Sequence, residues 1–98
     1  MDIEFQDPEL DQLAFDETYV GNWSPTLVRA YRKRVNLIRH VPNQRVLYAY
    51  KGLRLEKLKG KMQGKHSMRV NDQFRLIVQF AKKKGNDTVI IIKMEDYH

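Results

Sequence analysis

The chain has 98 residues and a net charge of +6, with 42% hydrophobic residues, 31% charged residues and no cysteine. This composition predicts one folded domain over residues 1–98, and it excludes a disulfide framework and a thiol nucleophile. The sequence has no secretory signal and no run of about 20 apolar residues, so we expect a cytoplasmic protein that does not enter a membrane.

The charges are unevenly distributed along the chain. Seven of the twelve Asp and Glu residues lie before residue 18, whereas every Lys and Arg lies at Arg29 or beyond. A basic region of this kind attracts polyanions, because each phosphate that it neutralises releases counterions. The pattern therefore favours a phosphate-bearing ligand such as RNA. The alternative is a basic surface that only aids solubility or that an acidic protein covers.

A short strand and a short helix are predicted first. Acids alternate with Ile3 and Phe5, which is typical of a strand with one buried face. Asp7 is a preferred residue at a helix N-cap, and Pro8 suits the first helical position. The apolar face of this helix would comprise Leu10, Leu13 and Ala14.

The second predicted helix has the strongest periodic pattern in the chain. Ser24 and Pro25 supply its cap signal, and Pro42 predicts an end near His40, because the residue before a proline avoids the helical conformation. Apolar residues recur at helical spacing at Leu27, Tyr31, Val35 and Ile38.

Beyond residue 45 the pattern changes from helical to extended. Residues 46–50 and 53–58 are strand candidates, and a Lys- and Gly-rich segment follows the second of them. Residues 82–87 are expected to form a turn, and the β-branched run at 88–94 predicts a largely buried central strand.

A β-hairpin is predicted around Asn71 and Asp72, because apolar and polar side chains alternate on both sides of this turn. Arg69 and Arg75 would then lie on adjacent strands, on the face opposite to the core. Together the elements predict an α+β fold, in which an N-terminal strand and two helices pack on a three- to four-stranded antiparallel sheet.

This hairpin offers the first candidate site. Guanidinium groups from Arg69 and Arg75 could bracket a phosphate through charge-assisted hydrogen bonds. The same residues could instead form ordinary surface ion pairs. Acids that could pair with them are Glu56 and Asp96, and lysines that could extend the cationic surface are Lys57, Lys59 and Lys65.

The final three residues offer a second candidate site. His98 can carry a proton near neutral pH, Tyr97 can stack on a base, and Asp96 can orient a proton donor. An ordinary frayed polar terminus is the alternative. The histidines are too scattered to predict a metal site, and the spacing of a phosphate-binding loop is absent, so we expect neither a metal nor another cofactor.

Three segments resemble HigB toxins of the RelE superfamily: LEKLKG at 55–60, SMRVNDQFR at 67–75, and the closing DYH at 96–98. The resemblance implies a RelE-like fold and a type II toxin that cleaves messenger RNA (mRNA) in the A site of the ribosomal 30S subunit. A ribose 2′-hydroxyl would attack the adjacent phosphate without a metal ion. A helix-turn-helix antitoxin of the HigA type would neutralise the toxin.

The resemblance also implies roles at the positions that match. Arg75 would bind the phosphate, and Lys59 would do likewise. The terminal acid, tyrosine and histidine of the family map onto Asp96, Tyr97 and His98, which implies base orientation, stacking and proton transfer.

The chain departs from the family pattern at two places. Some members have a histidine where Glu56 and Lys57 stand, so the identity of the general base stays open. Others have an arginine at the position of Asn71, which makes Arg69 the nearest substitute. We assign RNA contacts to Arg69, Asn71, Lys57 and Lys65.

Two other functions remain possible at this stage, because a fold alone does not determine an activity. One is a related toxin that poisons DNA gyrase, although such relatives lack the terminal Asp, Tyr and His. The other is a non-catalytic module that binds RNA or an antitoxin.

Overall fold

The computed structural model describes residues 1–97, which form a mixed sheet with helices packed on one face. The strands are β1 (Asp2–Phe5), β2 (Glu56–Lys57), β3 (His66–Arg69), β4 (Phe74–Lys83) and β5 (Asn86–Asp96). The helices are α1 (Pro8–Phe15), α2 (Pro25–His40) and α3 (Gln44–Tyr48), and two short 3-10 turns cover Lys51–Leu53 and Gly60–Met62.

The five strands lie in the order β1-β5-β4-β3-β2. Strand β1 runs parallel to β5, with Ile3 opposite Val89, and the other neighbouring strands are antiparallel. The predicted α+β class is therefore confirmed, with four antiparallel strands. The N-terminal strand joins them as a fifth member of the same sheet.

The first two helices begin where the cap signals predicted. Asp7 accepts a hydrogen bond from the Glu9 backbone nitrogen at 2.9 Å, and Ser24 accepts one from the Leu27 nitrogen at 3.1 Å. Each bond satisfies a backbone donor that has no partner within the helix. Helix α2 ends at His40, as expected. Within residues 1–97, no helix is long and apolar enough to cross a membrane.

The core lies between the helices and the inner face of the sheet. The Tyr31 ring is fully buried, and its hydroxyl donates to the Leu10 carbonyl oxygen at 2.7 Å, which ties α2 to α1. Burial also raises the pKa of Tyr31. The alternating apolar residues of the strands meet the helices in one cluster, which includes Met68, Leu76, Val78, Val89 and Ile91.

One prediction beyond residue 45 was wrong, and another had bounds that were too wide. Residues 46–50 were expected to be extended, but α3 occupies most of this segment, because Asn43 caps it by accepting from the Val46 nitrogen at 3.2 Å. Leu47 is buried in this helix while Tyr48 is 44% exposed. The turn expected over residues 82–87 is shorter, because β4 continues to Lys83 and β5 begins at Asn86.

The remaining strand predictions were closer. Only Glu56–Lys57 of the candidate strand at 53–58 pairs in the sheet, where it lies beside β3 at one edge. The hairpin around Asn71 and Asp72 is confirmed, and β5 contains the whole predicted strand at 88–94. Since β5 lies between β1 and β4, its predicted central position is also confirmed.

His66 is a buried ionisable residue on the inner side of β3. Its Nε2 lies 3.0 Å from the Tyr48 hydroxyl, and its ring contacts Phe80 edge-on at 4.9 Å between centroids. The Nδ1 atom has no hydrogen-bond partner within residues 1–97. Burial, followed by the nearby charge of Lys57, lowers the pKa of His66 below its ordinary value of 6.5.

Acidification is therefore expected to destabilise the fold through His66. Well above pH 6.5 the histidine is neutral in both states, whereas near and below this pH the unfolded chain binds a proton more readily than the native one. The free energy of unfolding should fall by at most about 1.4 kcal/mol per pH unit from this residue. Urea denaturation between pH 7.5 and 5 measures the slope. His66→Gln should flatten it, and an unchanged slope in that variant would contradict the assignment.

Candidate functional site

The outer face of the sheet brings three charged residues into one row. Arg69 of β3 lies opposite Arg75 of β4, which lies opposite Glu95 of β5. Side chains of directly paired residues point to the same face of a sheet. The predicted placement of both arginines on adjacent strands, away from the core, is therefore confirmed.

A cavity of about 300 Å³ opens over this row. Its lining contains three arginines beside two acids. The aromatic rings of Phe74 and Tyr97 add flat apolar surface. The full lining comprises Arg54, Glu56, Ser67, Arg69, Asn71, Asp72, Phe74, Arg75 and Tyr97. A cavity of this volume is at the small end of the range for ligand pockets.

Arg75 is held in place from two sides. Its Nε and Nη2 atoms donate to Oε1 of Glu95 at 3.0 and 2.8 Å, and its guanidinium carbon lies 4.9 Å from the centre of the Tyr97 ring. Neither hydrogen bond uses Nη1. A guanidinium that is oriented in advance loses less conformational freedom when it binds an anion.

Glu95 is shared between two cations. Its second carboxylate oxygen lies 3.1 Å from the Lys93 ammonium nitrogen. Partial burial on its own would raise the pKa of Glu95, but hydrogen bonds from Arg75 and Lys93 bring it below its ordinary value. The carboxylate is therefore ionised at neutral pH, and it serves as a fixed anchor for Arg75.

The β3–β4 turn is shaped by the side chain of Asn71. Its Oδ1 atom accepts hydrogen bonds from the backbone nitrogens of Gln73 at 2.9 Å and Phe74 at 2.7 Å. An Asn side chain that closes a turn in this way replaces a backbone partner. Asn71 thus supports the cavity wall, and its predicted contact with RNA remains a prediction.

Arg69 and Arg34 fix the same turn from opposite sides. Arg69 forms an ion pair with Asp72 and donates to the Asn71 carbonyl oxygen at 3.1 Å. Arg34 reaches from α2 and donates to the carbonyl oxygens of Arg69 at 2.8 Å and Val70 at 3.4 Å. Burial, followed by the charge of Arg69, lowers the pKa of the Arg34 guanidinium. The helix layer is thereby linked directly to the cavity.

The ion pairs proposed as an alternative exist, but with different acids. Arg69 pairs with Asp72, and Arg75 pairs with Glu95. Within residues 1–97, the acids in these two bridges are thus Asp72 and Glu95 instead of the expected Glu56 and Asp96. Although Arg69 and Arg75 each form an ion pair, both residues still line the cavity.

The predicted site residues separate into two groups. Arg69, Asn71, Arg75 and Tyr97 line the cavity, whereas Lys57, Lys59, Lys65 and Asp96 do not. Successive side chains of a strand point to opposite faces of the sheet, which explains why Lys57 does not line the cavity. Glu56 is on the cavity side, whereas Lys57 pairs with His66 of the inner face. Asp96 accepts a hydrogen bond from the Gln73 side chain at 3.0 Å. His98 lies outside the described residues.

A comparison with protein-family models shows which family the chain belongs to. Residues 3–98 match the family model described as the RelE-like toxin of the type II toxin-antitoxin system HigB. The chain belongs to the HigB-like toxin family. The resemblance noted in the sequence is thus confirmed, and this HigB-like toxin is a member of a toxin-antitoxin system. No curated protein sequence matches it significantly.

Solved structures share the fold of the HigB-like toxin over nearly their whole length. A YoeB/ParE toxin from Agrobacterium tumefaciens aligns at a TM-score of 0.64 and 15% identity, with complete coverage of both chains. YafQ from Escherichia coli aligns at 0.59 and 15%, covering 98% of this chain and 92% of its own. The YoeB–YefM complex from Staphylococcus aureus gives 0.57 and 19%, with 100% and 97% coverage. At these identities the likeness shows the fold alone.

Sequence reasoning missed several residues at the site of the HigB-like toxin. Glu95 could have been found by extending the hairpin register from Arg75, but a bulge between Ile77 and Val78 shifts that register along the strands. No pattern in the sequence pointed to Arg54, because this residue lies outside every regular strand and helix. Among the described residues, no group of three or more His, Asp or Glu side chains could hold a metal ion.

Proposed function

We propose that this HigB-like toxin is a ribosome-dependent endoribonuclease, which acts in the cytoplasm and cleaves mRNA in the A site of the 30S subunit. The observation that carries the proposal is the preoriented guanidinium of Arg75, which lies over Tyr97 in a cavity lined by two further arginines. Family membership supports it, since the chain is a RelE-like toxin.

The proposed reaction transfers a phosphoryl group within the RNA, from the 5′-oxygen of one nucleotide to the 2′-oxygen of the nucleotide before it. The ribose 2′-oxygen loses its proton and bonds to the adjacent phosphorus, while the bond from phosphorus to the 5′-oxygen breaks. The departing 5′-oxygen takes up one proton, so the products are a 2′,3′-cyclic phosphate and a free 5′-hydroxyl. The reaction thus needs a base, an acid and a cation beside the phosphate, and it needs no metal or other cofactor.

Arg75 supplies the cation in this scheme. Negative charge increases on the phosphate oxygens in the transition state, and a fixed donor stabilises that charge without having to reorganise. Tyr97 is 57% exposed, and we propose that its ring stacks on a base of the bound RNA. We propose Lys59 as a second cation that approaches the phosphate when RNA is bound.

The proton carriers are assigned from chemistry and resemblance together. Glu56 lines the cavity and, as a carboxylate, can accept the proton of the 2′-hydroxyl. His98 is proposed to protonate the leaving oxygen, with Asp96 orienting it. Arg69, Asn71, Lys57 and Lys65 are proposed to contact the RNA backbone around the reacting phosphate.

The partners follow from the same proposal. A substrate presented in the A site requires contact with the 30S subunit and its ribosomal RNA, for which a basic chain with a net charge of +6 is suited. A HigA-type helix-turn-helix antitoxin is proposed to neutralise the toxin. The YoeB–YefM complex is a solved example of a protein of this fold in a complex.

The test is cleavage in a translating extract, with the cuts mapped by primer extension. The wild type should produce cuts in register with codons, Arg75→Ala should reduce them at least about a hundredfold, and Arg29→Ala on the exposed side of α2 should leave them unchanged. Intact mRNA with blocked DNA gyrase would support a gyrase poison instead. Intact mRNA with active gyrase would indicate a non-catalytic binding module.

A further inference from the structure

Arg54 differs from the other two arginines of the cavity. Arg69 is paired with Asp72 and Arg75 with Glu95, but no ion pair or hydrogen bond engages the Arg54 side chain anywhere in residues 1–97. This guanidinium is exposed and lines the cavity. Its charge is thus available to an incoming anion without the loss of an existing partner.

The backbone at Arg54 is held in an uncommon conformation. With φ at 46° and ψ at 47° it lies in the left-handed region, directly after the 3-10 turn Lys51–Leu53. A residue with a β-carbon is strained there, whereas glycine is not. The preceding Leu53 is buried in the core. The reversal of the chain at this point places Leu53 inside and Arg54 at the cavity.

Arg54 lies just outside β2, and continuing the register of that strand by two residues puts it at the end of the row of arginines. Glu56 pairs with Ser67 in antiparallel strands. Arg54 lies two residues before Glu56 and Arg69 lies two residues after Ser67, so Arg54 and Arg69 are opposite each other when this pairing is continued. Arg69 in turn pairs with Arg75. Neighbouring strands are about 4.8 Å apart, so Arg54 and Arg75 are separated by roughly 10 Å of sheet. This separation gives the two guanidinium groups room to hold two different phosphates of one RNA strand.

We propose that Arg54 binds a second, non-reacting phosphate of the RNA, next to the one that is cleaved. The inference rests on the proposed ribonuclease function and assigns a subsite to it. A contact made equally in the ground state and the transition state changes KM and leaves kcat unaltered. Loss of Arg54 should therefore raise KM about tenfold, as expected for one charge-assisted contact, at unchanged kcat.

The first experiment removes the phosphate charge instead of the arginine. Ribosomes are programmed with mRNAs that carry one neutral methylphosphonate at a position neighbouring the cut. In the wild type and in Arg29→Gln, one such position should raise KM about tenfold. In Arg54→Gln, KM is already raised, and the same methylphosphonate should add nothing. An equal further loss in Arg54→Gln at every position would overturn the proposal.

The second experiment does not depend on cleavage. Binding of a single-stranded DNA oligonucleotide, which lacks the 2′-hydroxyl, is measured at several salt concentrations. The slope of log K against log salt should be smaller by about 0.7 in Arg54→Gln than in the wild type and Arg29→Gln. Identical slopes would refute the phosphate contact. A wild type that shows the expected slopes but never cuts mRNA would refute the proposed function and leave Arg54 as an anion contact.

An Arg54→Gly variant separates this role from a structural one. Glycine relieves the left-handed backbone, so its Tm should equal or exceed that of the wild type, while KM rises as in Arg54→Gln. If the Tm and the kcat of the glycine variant both fell, Arg54 would be a structural residue and the proposal would be wrong.

Discussion

Replacement of Arg75 with alanine is expected to lower kcat/KM for mRNA cleavage by about 10²- to 10³-fold. The variant loses a fixed positive charge beside the reacting phosphate, and Glu95 keeps its negative charge at the edge of the site. Both changes disfavour a transition state in which the phosphate becomes more negative. Single-turnover cleavage on programmed ribosomes measures the effect separately from product release.

The Arg75→Lys variant tests whether a positive charge alone is sufficient at this position. Lysine retains the charge, but a single ammonium group cannot reproduce the planar contacts of the guanidinium with Glu95 and Tyr97. Activity should lie between that of the wild type and that of Arg75→Ala. If the lysine variant were as active as the wild type, charge alone would suffice and the orientation by Glu95 would be irrelevant. Wild-type activity in Arg75→Ala would refute the assignment altogether.

Replacement of Arg34 with methionine is expected to destabilise the fold by about 2–3 kcal/mol, because two half-buried carbonyl oxygens lose a charged donor. Small domains have only about 5–15 kcal/mol of total stability. For a chain of this size the Tm should fall by roughly 10–20 °C. Thermal unfolding followed by circular dichroism measures the shift.

Arg29→Met on the same helix is the matched control, since Arg29 is exposed and its one side-chain hydrogen bond within residues 1–97 is a 3.5 Å contact with Thr26. Its Tm should stay within about 3 °C of the wild type, because exposed substitutions usually change stability by less than about 0.5 kcal/mol. A similar small shift in Arg34→Met would show that water replaces the lost donor. The link between α2 and the β3–β4 turn would then not contribute to stability.

Local signals predicted a large part of the fold. Asp7 and Ser24 are followed by proline, and each helix begins where these caps indicate. The β3–β4 hairpin was equally predictable, because apolar alternation and the turn residues Asn71 and Asp72 agree. In each of these places the short-range pattern and the tertiary structure favour the same conformation.

The errors occurred where distant contacts outweigh the local pattern. Helix α3 has only five residues, and its alternating apolar residues imitate a strand. The parallel pairing of β1 with β5 joins the two ends of the chain, and no local motif encodes it. Short elements depend on the surface against which they pack, and that surface is not visible in their own sequence.

The residues of the site also differ in whether a local pattern or a distant contact positions them. Arg69 and Arg75 could be placed on one face because both belong to a single hairpin. Glu95 and Arg54 could not, because one requires the register across a bulge and the other lies in an irregular segment. The roles of Lys57, Lys59, Lys65 and Asp96 rest on chemistry and resemblance, and they remain proposals for the bound state.

The position of β5 in the sheet has a consequence for synthesis of the toxin. This strand is the last of the five in sequence order, yet it lies between β1 and β4 and carries the anchor of Arg75. A growing chain without β5 therefore has two unpaired strand edges and no completed cavity. Such incomplete chains should be favoured substrates for chaperones and proteases, because they expose both edges and core residues.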